Sequence, residues 1–186
     1  MIPVNKKKNK AIFLDRDGVI NKEVNYLSDP DDFELLNGTI EALKIFKRLD
    51  FLLIVITNQS GLARGYFKEE TLDIIHSKMR RLISQENIEL DDIYFCPHHP
   101  EFTGECNCRK PNPGMIFAAR DDYNIDLTRS FMVGDTVNDI KAGKNAGVQT
   151  VFVLTGHGRE QQNKFKEIKS DYTFESLLGF ANHMIK

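Results

Sequence analysis

The sequence lacks any apolar stretch long enough for a signal peptide or a membrane span, so no membrane partner is expected and a cytoplasmic location is. It also lacks an excess of either charge: 25 Lys and Arg stand against 27 Asp and Glu, for a net charge of -2. No strongly basic domain is available to neutralise phosphates along a duplex, so no nucleic-acid partner is expected. Lys6-Lys7-Lys8 is a local basic run and reads as a solvated N-terminal tail. Cysteine is scarce, and Cys96, Cys106 and Cys108 all fall within 13 residues. An odd count crowded into one loop, without a secretion signal, reads as metal ligation rather than a disulfide framework. Repeats, low-complexity stretches and interdomain linkers are missing too. The 186 residues, 41% hydrophobic, suit a single domain over residues 1–186 with a buried core, and a monomer is expected.

What is present is a regular alternation. Ala11-Ile12-Phe13-Leu14 is an apolar run ending in acidic residues, the pattern of a buried parallel strand that opens on a site. Ile40, Leu43, Phe46 and Leu49 recur at helical spacing after Asn37-Gly38. Phe51–Ile56 reads as a strand and Lys68–Gln85 as a helix with Leu72, Ile75, Met79, Leu82 and Ile83 on one face. Ile93–Phe95, Ser130–Val133, Gln149–Leu154 and the edge segment Tyr172–Phe174 read as further strands. Helices are expected over Met115–Tyr123 with Pro113 at its first turn, Asn138–Ala146, Glu160–Lys169 and Glu175–Ile185. The pattern predicts an α/β fold with a doubly wound, Rossmann-like, mainly parallel sheet and helices on both faces. Such sheets bind ligands beyond the carboxyl ends of their strands.

Three strands end in polar clusters: Asp15-Arg16-Asp17-Gly18, Thr57-Asn58-Gln59-Ser60-Gly61 and Gly134-Asp135-Thr136-Val137-Asn138-Asp139. Along one sheet edge, Asp15, Asp17 and Asp135 would bring three carboxyl groups near one point and repel one another. A hard divalent cation resolves this, and Mg2+ favours a few carboxylates plus water and a substrate phosphate. Any one of these aspartates could be a mere helix cap. All three together with Thr57 and Lys110 point instead to phosphoryl transfer. Asp15 is the candidate nucleophile, Thr57 and the following backbone N–H groups donate to the phosphoryl oxygens, Lys110 adds charge, and Asp17 is the general acid and later base.

Asp15-x-Asp17-Gly18, Thr57, Lys110 and Gly134-Asp135-x-x-x-Asp139, in this order, resemble the four motifs of the haloacid dehalogenase superfamily. Phe13–Asn21, Thr57–Gly61 with Ala63-Arg64-Gly65, and Cys96-Pro97-His98-His99-Pro100 ahead of Cys106-x-Cys108-Arg109-Lys110-Pro111 resemble more narrowly the D-glycero-D-manno-heptose 1,7-bisphosphate 7-phosphatases and their relatives, the histidinol-phosphate phosphatases. The match runs from about Lys10 to Arg159. It implies an Mg2+-dependent sugar-phosphate monoesterase of heptose and lipopolysaccharide precursor synthesis, with Asp15 as nucleophile, Asp17 as acid/base, and Thr57 and Lys110 as phosphoryl stabilisers. Mg2+ ligands would be Asp15, Asp17 through its backbone carbonyl, and Asp135. Asp139 reads two ways: an indirect metal ligand through water, or a partner that holds Lys110 or favours its own helix N-terminus.

Cys96-x-His98 and Cys106-x-Cys108 supply four ligands, a full tetrahedral set for structural Zn2+ in a loop over about residues 96–108. The alternative is an exposed loop with reduced cysteines. The resemblance assigns the same four ligands, while the sequence leaves His99 as a competitor for His98. Arg109 and Lys110 follow the last ligand, so a metal-closed loop would place both cations.

Superfamily members often carry a cap domain, but residues 18–51 and 61–96 are too short for one, which predicts an open site shaped by loops. Glu23, Val24, Asn25 and Tyr26, with Arg16, Asn58, Gln59, Ser60 and Arg64, are the expected substrate walls. The resemblance gives Arg109 a substrate contact, which suits the second phosphate of a bisphosphate and favours heptose bisphosphate over histidinol phosphate. The heptose enzymes often place a lysine after the fourth-motif aspartate; Thr136 stands there, which removes a sugar or phosphate contact. Tyr94 and Phe131 read as core, His76 as surface, and the turn of His157 and Arg159 as a connection rather than part of the site rim. Two rival readings are a receiver domain that keeps its phosphoryl mark and a catalytically dead binding module. Paired aspartates on the first strand argue against the former, and fully occupied catalytic positions against the latter.

Overall fold

The computed structural model describes residues 8–165 and 169–186. Among them, six parallel strands form one sheet in the order β3-β2-β1-β4-β5-β6. The strands are β1 (Ala11–Leu14), β2 (Leu52–Asn58), β3 (Asp92–Cys96), β4 (Phe131–Gly134), β5 (Gln149–Val153) and β6 (Tyr172–Phe174). Between them run α1 (Thr39–Arg48), α2 (Glu69–Ser84), the one-turn α3 (Pro100–Thr103), α4 (Gly114–Tyr123), α5 (Val137–Ala146), α6 (Gly158–Lys164) and α7 (Leu177–His183).

The apolar run of β1 is wholly buried because both of its faces are covered. Ile12 and Leu14 join Leu53, Val55, Val133 and Val151 under α1, α2 and α7. Ala11 and Phe13 join Ile54, Ile56 and Met132 under α4 and α5. The two-residue period of a strand splits one continuous hydrophobic run between two cores. The chain winds outward from β1 through β2 to β3, then returns to the other side of β1 at β4. Asp15 extends the β1–β4 ladder, its N–H donating to Val133 O at 3.0 Å. The order therefore reverses beside Asp15, where a crevice opens at the carboxyl ends of the strands.

The expected elements are present with ends shifted by a few residues. The closing helix starts at Leu177, later than expected, because the Ser176 side chain accepts from Gly179 N–H at 3.2 Å and caps it. Pro113 is the N-cap of α4 rather than part of its first turn. α6 ends at Lys164, and residues 166–168 of the expected Glu160–Lys169 helix lie outside the described residues. So do Lys6 and Lys7 of the basic run, while Lys8 is exposed. Phe131 is half-buried against Phe180 and Phe51. Tyr94 is also half-buried rather than core, and its hydroxyl donates to Asp122 at 2.6 Å. No helix of the described residues is long and apolar enough to cross a membrane.

Candidate active site

Asp15 directly follows β1, Thr57 and Asn58 end β2, and Asp135 directly follows β4, so register alone brings them to one edge. Lys110 arrives from the loop before α4 and is fixed at its backbone by one side chain. Asn58 Oδ1 accepts from Lys110 N–H at 3.0 Å, and Asn58 Nδ2 donates to Lys110 O at 3.1 Å. The buried Lys110 ammonium then lies 2.9 Å from Asp15 Oδ1 and 2.6 Å from Asp139 Oδ1, and donates to Ile56 O at 2.9 Å. Asp15 Oδ1 also accepts from Arg16 N–H at 2.7 Å, which fixes the carboxylate plane. Asp135 Oδ2 accepts from His157 N–H at 2.7 Å.

Two glycines make room for that aspartate. A Cβ at Gly18 or at Gly156 would stand 2.2 Å from Asp135 Oδ2, and both residues have positive φ, 78° and 52°. Asp139 engages both oxygens, Oδ1 with Lys110 and Oδ2 with the Thr136 N–H at 3.0 Å and the Thr136 hydroxyl at 2.6 Å. The geometry thus gives Asp139 the roles of lysine holder and helix-terminus partner. Thr136 is spent on that same helix start, which accounts for a threonine here.

The electrostatics of this cluster are unbalanced. Ligand oxygens of Asp15, Asp135 and Asp139 lie within 4.8 Å of one another, and Lys110 is the buried counter-charge in contact with them. Burial, then the charge of Asp139, push the Asp15 carboxyl up to about 7. Burial, then Asp15 and Asp139, raise Asp135 well above the usual carboxylate range. Burial by itself would lower Lys110, but Asp139 and Asp15 outweigh it and hold the ammonium well above its ordinary value. Crowded hard oxygens short of positive charge fit a divalent cation such as Mg2+.

These groups line a cavity of about 210 Å³ with Asp17, Glu23, Val24, Asn25, Tyr26, Thr57, Asn58, Gln59, Ser60, Thr136, Asn138 and His157 on its walls. The Thr57 hydroxyl accepts from Gln59 Nε2 at 2.9 Å, so its own proton is free to point at an oxygen in the cavity. The Gln59 backbone N–H is not available as the expected phosphoryl donor, since it donates to Cys96 O at 2.8 Å.

Beside the cavity, Cys96, His98, Cys106 and Cys108 converge. Their sulfur atoms stand 2.9, 3.4 and 3.6 Å apart, and His98 Nδ1 lies 3.3 and 3.7 Å from Cys108 and Cys96. Tetrahedral Zn–S bonds of ~2.3 Å imply edges of roughly 3.8 Å, so the soft donor set fits a Zn2+ site. His99 is excluded as the competitor. Its Nε2 is 2.8 Å from Arg64 Nη2, and its Nδ1 accepts from Glu101 N–H at 3.3 Å.

Comparison with known proteins decides the family. The HAD-hydrolase-like family profile matches residues 107–180. A D-glycero-β-D-manno-heptose-1,7-bisphosphate 7-phosphatase of Pasteurella multocida is 44% identical over 173 residues, covering 90% of this chain and 92% of its own. The chain belongs to the heptose-1,7-bisphosphate 7-phosphatase family. A D-glycero-α-D-manno-heptose-1,7-bisphosphate 7-phosphatase of Photorhabdus laumondii is 46% identical over 156 residues, covering 81% of this chain and 85% of its own. The solved D,D-heptose 1,7-bisphosphate phosphatase of B. bronchiseptica, complexed with magnesium and phosphate, superposes with a TM-score of 0.88 at 37% identity, covering 95% of this chain and 98% of that one.

Within this heptose-bisphosphatase frame, the three arginines expected at the substrate make other contacts in the structure. Arg16 is wholly buried behind the site and pairs with Asp17 at 2.8 Å, so its side chain does not wall the cavity. Arg64 turns to the zinc loop, with its guanidinium 4.9 Å from the Phe102 ring centre and hydrogen-bonded to His99. Arg109 Nη1 donates to His98 O at 3.1 Å and lies outside the cavity lining. Two histidines were misread from the sequence. His76 is buried, 8% exposed, against Arg16 and Phe95. His157 is a cavity residue rather than a mere connection, and it acts through a backbone N–H that no residue type announces.

Proposed function

We propose that this chain is an Mg2+-dependent phosphatase that removes the 7-phosphate of D-glycero-D-manno-heptose 1,7-bisphosphate through an aspartyl-phosphate on Asp15, in heptose and lipopolysaccharide precursor synthesis. The observation that carries the reading is the Asp15 carboxylate, clamped by Lys110 beside Asp135 and Thr57 in one small polar cavity. Asp15 and Asp135, with the Asp17 backbone carbonyl, would hold Mg2+. When bound, the ion supplies positive charge to the carboxylates and the phosphoryl oxygens.

In the first step an Asp15 oxygen forms a bond to phosphorus as the bond from phosphorus to the sugar oxygen breaks. Asp17, whose carboxylate accepts from Arg16, Asn21 and Gln59 at rest, takes up a proton from solvent before this step and passes it to the departing oxygen, giving the sugar hydroxyl. In the second step water attacks the aspartyl-phosphate, Asp17 takes the water's proton, and inorganic phosphate leaves with Asp15 restored. Lys110 and the Thr57 hydroxyl hold the equatorial oxygens throughout. Relatives named for the β and the α anomer stand at 44% and 46% identity, so both anomers belong in the test.

The test measures inorganic phosphate released from both heptose 1,7-bisphosphates and from histidinol phosphate, with and without Mg2+. Rapid Mg2+-dependent release from a heptose bisphosphate is the expected result, with solvent 18O appearing in the Asp15 side chain over many turnovers. Faster release from histidinol phosphate overturns the substrate. Absence of label in Asp15 overturns the mechanism.

A further inference from the structure

The candidate acid/base residue is held from behind by a buried arginine. Arg16 is 0% exposed. Its Nε and Nη2 donate to Asp17 Oδ1 at 3.1 and 3.0 Å, and Nη2 donates to Asp17 Oδ2 at 2.8 Å. The guanidinium and the carboxylate therefore share one plane, a geometry that fixes orientation as well as distance. Asn21 Nδ2 and Gln59 Nε2 add donors at 2.9 and 3.0 Å.

One guanidinium nitrogen remains. Arg16 Nη1 lies 3.2 Å from His76 Nε2, in the first half of α2. Guanidinium has donors and no acceptor, so Nε2 must accept, which assigns the imidazole proton to Nδ1. The neutral ring is what this environment dictates: burial, then the Arg16 charge, push His76 down to about 3. The ring is backed by Phe95 of β3, with centroids 5.9 Å apart. Burying an arginine this deeply is unfavourable unless its donors are satisfied, and His76, carried on the buried face of α2 beside Leu72, Ile75 and Met79, meets Nη1. The chain Phe95–His76–Arg16–Asp17 runs from the core to the carboxylate on the cavity wall that carries the proposed acid/base role.

We propose that His76 is a positioning residue for general acid/base catalysis, setting the plane of Arg16 and through it the carboxyl group of Asp17. This rests on the acid/base role given to Asp17 above. Proton transfer tolerates little error in heavy-atom distance. If Arg16 loses its anchor at Nη1, the Asp17 carboxyl swings with it. Transfer to a poor leaving group then suffers, while attack by Asp15 does not.

The test compares kcat/KM of the wild type, His76→Leu, His76→Gln and Asp17→Asn on a sugar phosphate and on p-nitrophenyl phosphate, at equal Mg2+ and with unfolding midpoints recorded. His76→Leu is expected to lose about tenfold or more on the sugar phosphate and less than about threefold on the activated ester, whose leaving group needs no acid. His76→Gln, which returns an acceptor near the Nε2 position, should restore the sugar phosphate rate to within about threefold of wild type. Equal loss on both substrates, no loss, or failure of Gln to rescue overturns the proposal. If His76→Leu does not fold, His76→Asn takes its place: it is too short to reach Arg16 and should show the same selective loss, and identical behaviour of Asn and Gln overturns the proposal. Asp17→Asn controls for the parent reading. Loss there without leaving-group selectivity removes Asp17 as the acid, a different failure from selectivity in Asp17→Asn that His76→Leu does not share.

Discussion

Two clusters of metal-ligand residues sit at the same edge of the sheet and are built in opposite ways. In the carboxylate cluster, Asp15 and Asp135 each directly follow a buried strand, and Asp139 stands in the first turn of α5. Even the incoming Lys110 is pinned to a strand end, by Asn58. In the thiol cluster only Cys96 belongs to a strand, and the other three ligands come from a loop whose regular structure is the four-residue α3. The first cluster takes its shape from the core, so a cation adds charge to a site already formed. The second has almost no core of its own, so the metal supplies the shape. Damage to the first should therefore appear in turnover, and damage to the second in substrate placement and local order.

The largest break of that contrast is Asp15→Asn, which removes the nucleophile from a preformed site. Turnover should fall to the buffer background while the circular dichroism spectrum and the unfolding midpoint stay near wild type or rise, because one of three crowded acids is gone. Next comes Lys110→Met. It deletes the cation between Asp15 and Asp139 and should cost on the order of 10²–10³-fold in kcat, the scale of losing one charge-stabilising donor. A loss confined to KM would mean that Lys110 only binds. Both variants leave the thiol cluster intact, which zinc content measures directly.

The two clusters were not equally legible in the sequence. Strand-end acids announce themselves, because a fully buried parallel strand is a continuous apolar run and its last residue points at the ligand edge. The four thiol and imidazole ligands were visible from spacing, but His98 and His99 differ only in which way the backbone turns, and His99 N-caps α3 instead. The arginines show what tertiary contacts add: Arg16, Arg64 and Arg109 each have a chemically sensible role at a phosphate, and each also has a protein partner that the sequence does not announce. His76 has polar neighbours in sequence and was read as surface. Its burial follows from helical spacing, four residues after Leu72 and three before Met79 on the apolar face of α2; its partner Arg16, 60 positions away, is what no local pattern reports.

Removing zinc while Mg2+ is retained sharpens the comparison from the other side. Arg64 and Arg109 both bond to residues of the loop, His99 and the His98 carbonyl, and Lys110 directly follows Arg109. Because the second phosphate of a bisphosphate, beyond the small cavity, is expected at Arg109, loss of the ion should raise KM about tenfold or more, with a smaller change in kcat. It should also open the peptide bonds between residues 98 and 108 to limited proteolysis, while the global unfolding midpoint moves little. Global unfolding on zinc loss would show that the loop is part of the main cooperative unit. Unchanged kinetics would show that the loop does not place the cations.

The smallest expected effect isolates the carboxylate cluster through pH, with zinc bound and Mg2+ absent. Asp15, pushed up to about 7 from 3.8, and Asp135, raised in the same direction, keep protons in the folded chain that the unfolded chain has released. Their contribution to stability is therefore lost as pH rises from about 4 towards 7. His76 works against them. With its folded value down at about 3 from 6.5, the unfolded chain binds the extra proton, and stability rises with pH across that interval. Two acids against one imidazole leave a net fall. Mg2+ binds the ionised carboxylates, so it should raise the urea midpoint more at pH 7 than at pH 5 by removing the repulsion that grows over that range. Equal stabilisation at both pH values would mean that the acids are already ionised at pH 5, and that Lys110 alone balances them.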